Sequence, residues 1–288
     1  MTVYNGAKFI SSAIHSILDQ TMDDLELIVV NDGSNDATES IILDIRDSRI
    51  KYLKNHQNKG QSYSRNRAIG ESEGKYIAIM DADDIACNQR LEKQLTFLEG
   101  NPEISLCGSW VNIIDGNGEF VSVRKLPKDD AVIKLRLLFG CPIVHPTVMW
   151  RKSDFQKYNL YYDEQYVYAQ DFDLWARALW HVKFHILDEP LLSFRFRNKE
   201  SITYSKKNEQ LKFARSIVER NIAALTGMSY NNARASFFRR ILLYRRIVSS
   251  LSVVEDKDLK VQFFRQKILA SERIPHAISS LLRKILIQ

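Results

Sequence analysis

The segment Leu25-Glu26-Leu27-Ile28-Val29-Val30-Asn31-Asp32-Gly33-Ser34 reads as a buried parallel strand that runs straight into a turn. Its apolar residues are rich in β-branched side chains, which suit a strand covered on both faces. The Asn, Asp, Gly and Ser that follow are turn formers. The pattern around this strand repeats the alternation. Residues 36–46 place apolar side chains at 37, 41, 42 and 45, the spacing of a helix. A short strand at 50–53 leads through Asn58-Lys59-Gly60 into a second helix over Gln61–Glu71. After Gly74, residues 75–80 form another apolar strand that ends on Asp81-Ala82-Asp83-Asp84, and a helix over 88–99 is closed by Gly100-Asn101-Pro102. Strands alternating with helices predict an α/β fold with a mainly parallel sheet flanked by helices. Ligands of such sheets bind outside the carboxyl ends of the strands. Asp32 and the 81–84 cluster both fall at those ends, which makes them candidates for function.

Farther along, the pattern loosens. Strand-like pieces at 105–114, 120–124, 147–150 and 184–187 alternate with helical stretches near 130–139 and 171–181, and after Asn198 the apolar spacing is helical. The chain of 288 residues is 45% hydrophobic and 10% aromatic, enough to fill a core and to exclude a disordered or low-complexity class. The longest apolar candidate, 131–144, is interrupted by Lys134 and Arg136 and is too short to span a membrane. The first residues carry no basic-plus-apolar signal pattern. Cys87, Cys107 and Cys141 are scattered without metal-ligand spacing and read as reduced thiols of a cytoplasmic protein.

The formal charge of +6 divides unevenly. Residues 201–288 hold 17 Lys or Arg against 6 Asp or Glu, so the first 200 residues are net acidic. A nucleic-acid-binding α/β protein would carry basic residues on its body; an acidic body argues against nucleic acid as a partner. The sequence divides into an α/β domain at 1–200 and a basic helical region at 201–288.

Asp81-Ala82-Asp83-Asp84 puts three carboxylates in four residues after a buried strand. Such density costs repulsion unless a cation or donors neutralise it, and hard divalent cations take one or two carboxylates plus substrate phosphates. Two other readings stand beside this one: a solvated acidic turn ahead of the next helix, and a Mg²⁺-dependent nucleotidyltransferase or phosphatase site. A calcium loop is excluded because the sixth position, Ala86, is not glycine.

Taken together, Tyr4-Asn5-Gly6, Leu27 to Ser34, Asn58-Lys59-Gly60 with Ser64-Arg65-Asn66, and Asp81-Ala82-Asp83-Asp84 form an ordered series. It resembles the nucleotide-sugar-binding half of the family 2 inverting glycosyltransferases of GT-A fold. His145-Pro146-Thr147-Val148-Met149 and Gln170-Asp171-Phe172-Asp173-Leu174-Trp175 are similar to later motifs of that family, with Gln170 in place of its usual Glu. The likeness covers residues 1–200. It implies a UDP-sugar donor, a Mn²⁺ or Mg²⁺ cofactor, and a glycan or lipid-linked acceptor of bacterial surface polysaccharide or lipooligosaccharide. It also implies roles. Tyr4, Asn5 and Asp32 would line the nucleoside pocket, with Gly60 and Arg65 near the base and diphosphate. Asp81 would approach the ribose, Asp83 would bind the metal, and Asp171 would be the general base. Members of the family carry several apolar residues before Tyr-Asn; with only Met1-Thr2-Val3 here, either that strand is cut short, which would weaken the edge of the pocket, or the true start lies upstream.

Spacing refines the later motifs. Asp171 and Asp173 are two apart, so on a helix they point about 200° away from each other and cannot share a role. If Asp171 faces the cleft, Asp173 is expected to cap the helix or to pair with Arg177 at i+4. Trp175 is read as a core residue, with an acceptor-sugar platform as the alternative. His145 is read as a satisfied structural histidine at a strand start, with a contact to the acceptor or the diphosphate as the alternative. Asp36, Asp84 and Arg67 are read as helix-end or surface charges. In the C-terminal region, Phe237, Ile241, Tyr244, Val248 and Leu251 fall on one helical stripe flanked by arginines. Three readings of that region stay open: residues 234–288 dock peripherally on an anionic membrane surface, pack on the catalytic body, or form a homodimer.

Overall fold

Three parallel strands, β1 (Thr2–Val3), β2 (Leu27–Asn31) and β3 (Ile50–Lys54), pair in the order β1-β2-β3. The computed structural model describes residues 1–196 and 206–226. Every residue of β2 is buried, as a continuous apolar run at the centre of a parallel sheet demands. Around this sheet lie α1 (Ile10–Leu18), α2 (Thr38–Asp44) and α3 (Gln61–Glu71). Helix α3 keeps its expected bounds, whereas α2 is shorter than the expected 36–46. Helix α1 is absent from the sequence expectations, although Ile10, Ala13, Ile14 and Ile17 bury one stripe at helical spacing.

A second sheet of six strands completes the core. It is built from β4 (Tyr76–Ala78), β5 (Ile85–Ala86), β6 (Leu106–Ile114), β7 (Phe120–Arg124), β8 (Met149–Arg151) and β9 (Phe184–Arg195). The order is β4-β8-β6-β9-β5 with β7 on β6; only β6 and β9 pair in parallel. The parallel nucleotide-type sheet is therefore the first one, and the loosened pattern after residue 105 reports a mixed sheet. Strand β9 runs well beyond the expected 184–187. Asp188-Glu189-Pro190 looks like a break in sequence, but register shifts around Trp110, which pairs with Pro190, absorb the missing donor.

Helices α4 (Arg90–Gly100), α5 (Asp130–Leu137), α6 (Lys152–Lys157), α7 (Gln170–Ala178) and α8 (Lys207–Thr226) follow in chain order. One large apolar cluster joins the two sheets, running from Val29 and Ile77 to Trp150, Trp175 and Phe184. A single parallel bridge between Thr2 and Asp81 ties the first sheet to the acidic turn. Among the described residues no helix is long and apolar enough to cross a membrane. The stripe from Phe237 to Leu251 lies outside the described residues.

Candidate active site

The turn after β2 is organised by Asp32. Its carboxylate is buried and accepts hydrogen bonds from Asn55 Nδ2 (2.7 Å), Lys59 N–H (2.8 Å) and Gly60 N–H (2.9 Å). Of the four lone-pair positions of a carboxylate, three are taken and one on Oδ2 is left among the described residues. Gly60 sits at φ 91° just ahead of α3, a backbone state that favours glycine. Gly33 has φ 75°, and a Cβ there would meet the Gln57 backbone at 2.6 Å. Both glycines thus let the 57–60 loop close over Asp32. Tyr4 stands beside this turn with half of its surface exposed (49%), and Asn5 at φ 53° accepts the Asn35 N–H (3.0 Å) through its side chain.

Helix α3 delivers Arg65 to the adjoining turn. The buried guanidinium donates from Nη2 to Asp81 Oδ1 at 3.2 Å and lies 5.6 Å from the centre of the Tyr162 ring. His145 Nδ1 approaches the same Asp81 oxygen at 3.9 Å, while His145 Nε2 lies 2.8 Å from the Tyr162 hydroxyl. Burial, then the positive charge of Arg65, holds the His145 pKa well below its ordinary value, so the ring is neutral. It is a satisfied core histidine, as expected, and Trp175 beside it is fully buried.

Asp83 and Asp84 complete the turn. The Asp83 backbone carbonyl accepts from Arg195 Nε (2.8 Å), and Asp84 Oδ1 accepts the Arg195 N–H (2.8 Å). Asp84 is not a surface charge: it is only 1% exposed, and its Oδ2 is buried without a partner among the described residues. It goes inward because the backbone of β9 offers a donor there. Burial, then the neighbouring charges of Asp81 and Asp83, pushes its pKa well above the ordinary carboxylate range. Asp36 does behave as a helix-end residue, accepting the Thr38 N–H at the start of α2. Arg67 bridges Lys54 O and Asn55 Oδ1.

Asp171 opens α7, after Ala169 in a left-handed conformation at φ 56°. A carboxylate in a first helical turn faces the positive end of the helix dipole. The Asp171 side chain keeps some solvent access while protein atoms surround it, and this desolvation raises its pKa. The charges of Arg65 on α3 and Asp81 in the turn after β4 reach it, one lowering and the other raising that pKa. Gln170 donates to Gln61 Oε1 (2.8 Å), so the residue that departs from the family pattern ties α7 to α3. Asp173 pairs with Arg177, as its spacing predicts. Arg195 and Tyr162 were not legible as site residues, because each reaches the site from far along the chain.

Asp81 and Asp83 keep partial solvent access on this turn, and such oxygen donors suit a hard divalent cation, whereas the orphaned Oδ2 of Asp84 is buried. Among the described residues no three His, Cys, Asp or Glu side chains converge on one point. The chain itself offers one or two ligands, as is usual where phosphates and water supply the rest. A groove of about 510 Å³ between α1 and α2, lined by His15, Asp19 and Arg49, lies at the amino ends of β2 and β3, opposite the acids, and contains none of the predicted residues.

Comparison with known proteins bears on this geometry. A family model described as "Glycosyl transferase family 2" matches residues 1–159. An uncharacterized glycosyltransferase of Methanocaldococcus jannaschii is 39% identical over 217 residues, 73% of this chain and 74% of that protein. The Escherichia coli UDP-Glc:alpha-D-GlcNAc-diphosphoundecaprenol beta-1,3-glucosyltransferase WfgD is 31% identical over 74% of this chain and 81% of its own. The E. coli O-antigen biosynthesis glycosyltransferase WbnJ is 32% identical over 70% of this chain and 80% of its own. Among solved structures, S. aureus TarS 1-349 in complex with UDP-GlcNAc superposes with a TM-score of 0.60 at 16% identity, covering 99% of this chain and 89% of that one. That likeness shows the GT-A-like fold. With a matched family model over more than half its length and a relative 39% identical over 73% of it, the chain belongs to glycosyl transferase family 2 and is a transferase.

Proposed function

We propose that the protein is a metal-dependent, inverting glycosyltransferase. It moves a sugar from a UDP-sugar to a hydroxyl of a glycan or lipid-linked acceptor, in the building of bacterial surface polysaccharide or lipooligosaccharide. One observation carries this reading. Arg65 pairs with Asp81 at 3.2 Å, and the charges of both reach the Asp171 carboxyl, so donor-side and base-side groups share one cleft.

Within that reading Tyr4, Asn5 and Asp32 hold the nucleoside, the last through its one remaining lone pair. Gly60 shapes the entry to α3, Asp81 takes the ribose, and Arg65 lies toward the diphosphate. Asp83 would hold Mn²⁺ or Mg²⁺ together with the diphosphate; the bound cation neutralises charge that gathers on the leaving group. Asp171 accepts the proton of the acceptor hydroxyl as that oxygen attacks the anomeric carbon opposite UDP. A carboxyl with a raised pKa is a stronger base once ionised. Relatives named for O-antigen and diphosphoundecaprenol-linked acceptors support a lipid-linked acceptor. Such an acceptor fits a catalytic domain at 1–200 that works in the cytoplasm at the inner membrane face, with residues 201–288 as its helical extension.

The test is UDP binding by calorimetry with and without Mn²⁺. The wild-type chain gains affinity with Mn²⁺, and Asp83→Ala loses that gain. A variant whose metal-dependent gain is intact removes Asp83 from the metal site.

A further inference from the structure

Asp173 is the most enclosed acid on α7, at 0% exposure, and both of its oxygens are used. Oδ2 accepts from Arg177 Nε (2.9 Å) and Nη2 (2.8 Å), four residues along the same helix. Oδ1 accepts from Arg220 Nη1 at 2.6 Å, and Arg220 comes from α8, 47 residues away in sequence. The neighbouring Asn221 donates to Leu137 O at the end of α5 (3.1 Å), so adjacent residues pin α8 to α5 and α7. Arg220 also lies over the ring of Tyr166, in the segment that leads into α7. The carbonyl of Tyr166 accepts from Ser62 on α3.

On the reading that Asp171 is the base, we propose that Arg220 is a positioning residue: from α8 it holds α7, and with it the Asp171 carboxyl, in the orientation that proton removal needs. Asp171 and Asp173 lie about 200° apart around the helix, so the catalytic carboxyl and its anchor occupy opposite faces. Turning α7 about its axis would move both. The pair is a poor device for stability. The Asp173 carboxylate is fully buried while Arg220 keeps 37% of its side chain exposed, with Nη2 buried and without an acceptor among the described residues. An ion pair whose carboxylate is desolvated returns little compared with apolar packing. What a pair of fixed geometry anchored on a buried carboxylate does supply is register between two elements. A base displaced by about 1 Å loses about 10²-fold in rate, so a register lock on its helix acts directly on turnover. The catalytic unit on this account includes α8 as well as the first 200 residues.

The test uses the full chain with Mn²⁺ and follows UDP release from UDP-glucose and UDP-GlcNAc by hydrolysis, with water attacking the anomeric carbon in place of the acceptor hydroxyl. Arg220→Gln lowers kcat by roughly 10- to 100-fold while donor KM stays within about twofold, because the donor groups sit on other elements. Arg220→Lys, which still donates to Asp173 Oδ1, recovers most of the loss. A folded Arg220→Gln protein with kcat within twofold of wild type overturns the proposal, as does Arg220→Lys no better than Arg220→Gln. If Arg220→Gln does not fold, Asp173→Asn decides in its place: reduced kcat at unchanged donor KM supports the lock, and unchanged kcat overturns it. If the wild-type chain releases no UDP from either donor, the transferase chemistry proposed here fails instead. Hydrogen exchange then judges the lock alone. Faster exchange at the amides of 172–176 in Arg220→Gln, with β2 unchanged, supports it, and equal exchange at those amides overturns it.

Discussion

The two sides of the cleft are held by different means. On the donor side, Asp32 organises the 55–60 loop with three hydrogen bonds, two of them from consecutive backbone amides. On the base side, α7 is held from behind by side chains: Asp173 with two arginines, and Trp175 packed against Trp150 and Phe155 at centroid distances of 5.8 and 6.2 Å. Backbone amides leave little freedom in where they point, so the donor side is local and preorganised. Long side chains reach across the fold, so the base side depends on partners far away in sequence. A donor pocket can therefore be lost without disturbing the base, and the base can be displaced without loss of donor binding.

The strongest way to break this contrast is Asp32→Ala. It strands the Lys59 and Gly60 amides and Asn55 Nδ2 in a buried turn, at a cost of about 3 kcal/mol. Thermal unfolding should report that loss, and calorimetry should show UDP binding reduced at least tenfold. The near-ultraviolet signal of the Trp150, Phe155 and Trp175 cluster should survive. Loss of that signal together with the UDP site would show that the two sides are not independently held.

A smaller effect sharpens the other side. Trp175 is fully buried, yet its Nε1 has no hydrogen-bond partner among the described residues. Trp175→Phe leaves a small void but removes an orphaned donor, two changes of opposite sign. The net destabilisation should be about 1 kcal/mol, well under the usual cost of truncating a core tryptophan. UDP affinity should not change. A loss above about 3 kcal/mol would mean that the indole N–H is satisfied in solution and that α7 relies on it.

How much of this was legible in the sequence follows the same division. The apolar run ending at Asn31-Asp32-Gly33, the helix Gln61–Glu71 with Arg65, and the 81–84 acids are local patterns, and the structure brings them to neighbouring turns. The i, i+4 pairing of Asp173 with Arg177 was readable for the same reason. Asp84 was misread because its surroundings come from Arg195, 111 residues away, at the end of a strand that Pro190 disguises. Arg220 gave no signal at all. On a helix with charged residues at many positions, only the packed structure distinguishes the arginine that turns inward. Helix α1 was missed despite a clean stripe of Ile10, Ala13, Ile14 and Ile17, because its start at Phe9 carries neither a side-chain cap nor an acid in the first turn.

The central claim is that Asp171 removes the acceptor proton while the donor is held elsewhere, and Asp171→Asn tests it most directly. UDP release and UDP affinity are measured side by side with Mn²⁺ across pH. In the wild type, turnover should fall as pH drops and the carboxylate is protonated. Because burial raises its pKa, that fall should begin at a higher pH than for an ordinary aspartate. Asp171→Asn should bind UDP with unchanged affinity and lose turnover by about 10²- to 10⁴-fold at every pH, the usual contribution of a general base. Turnover retained in Asp171→Asn with its acid limb intact would contradict the account and place the base on another residue.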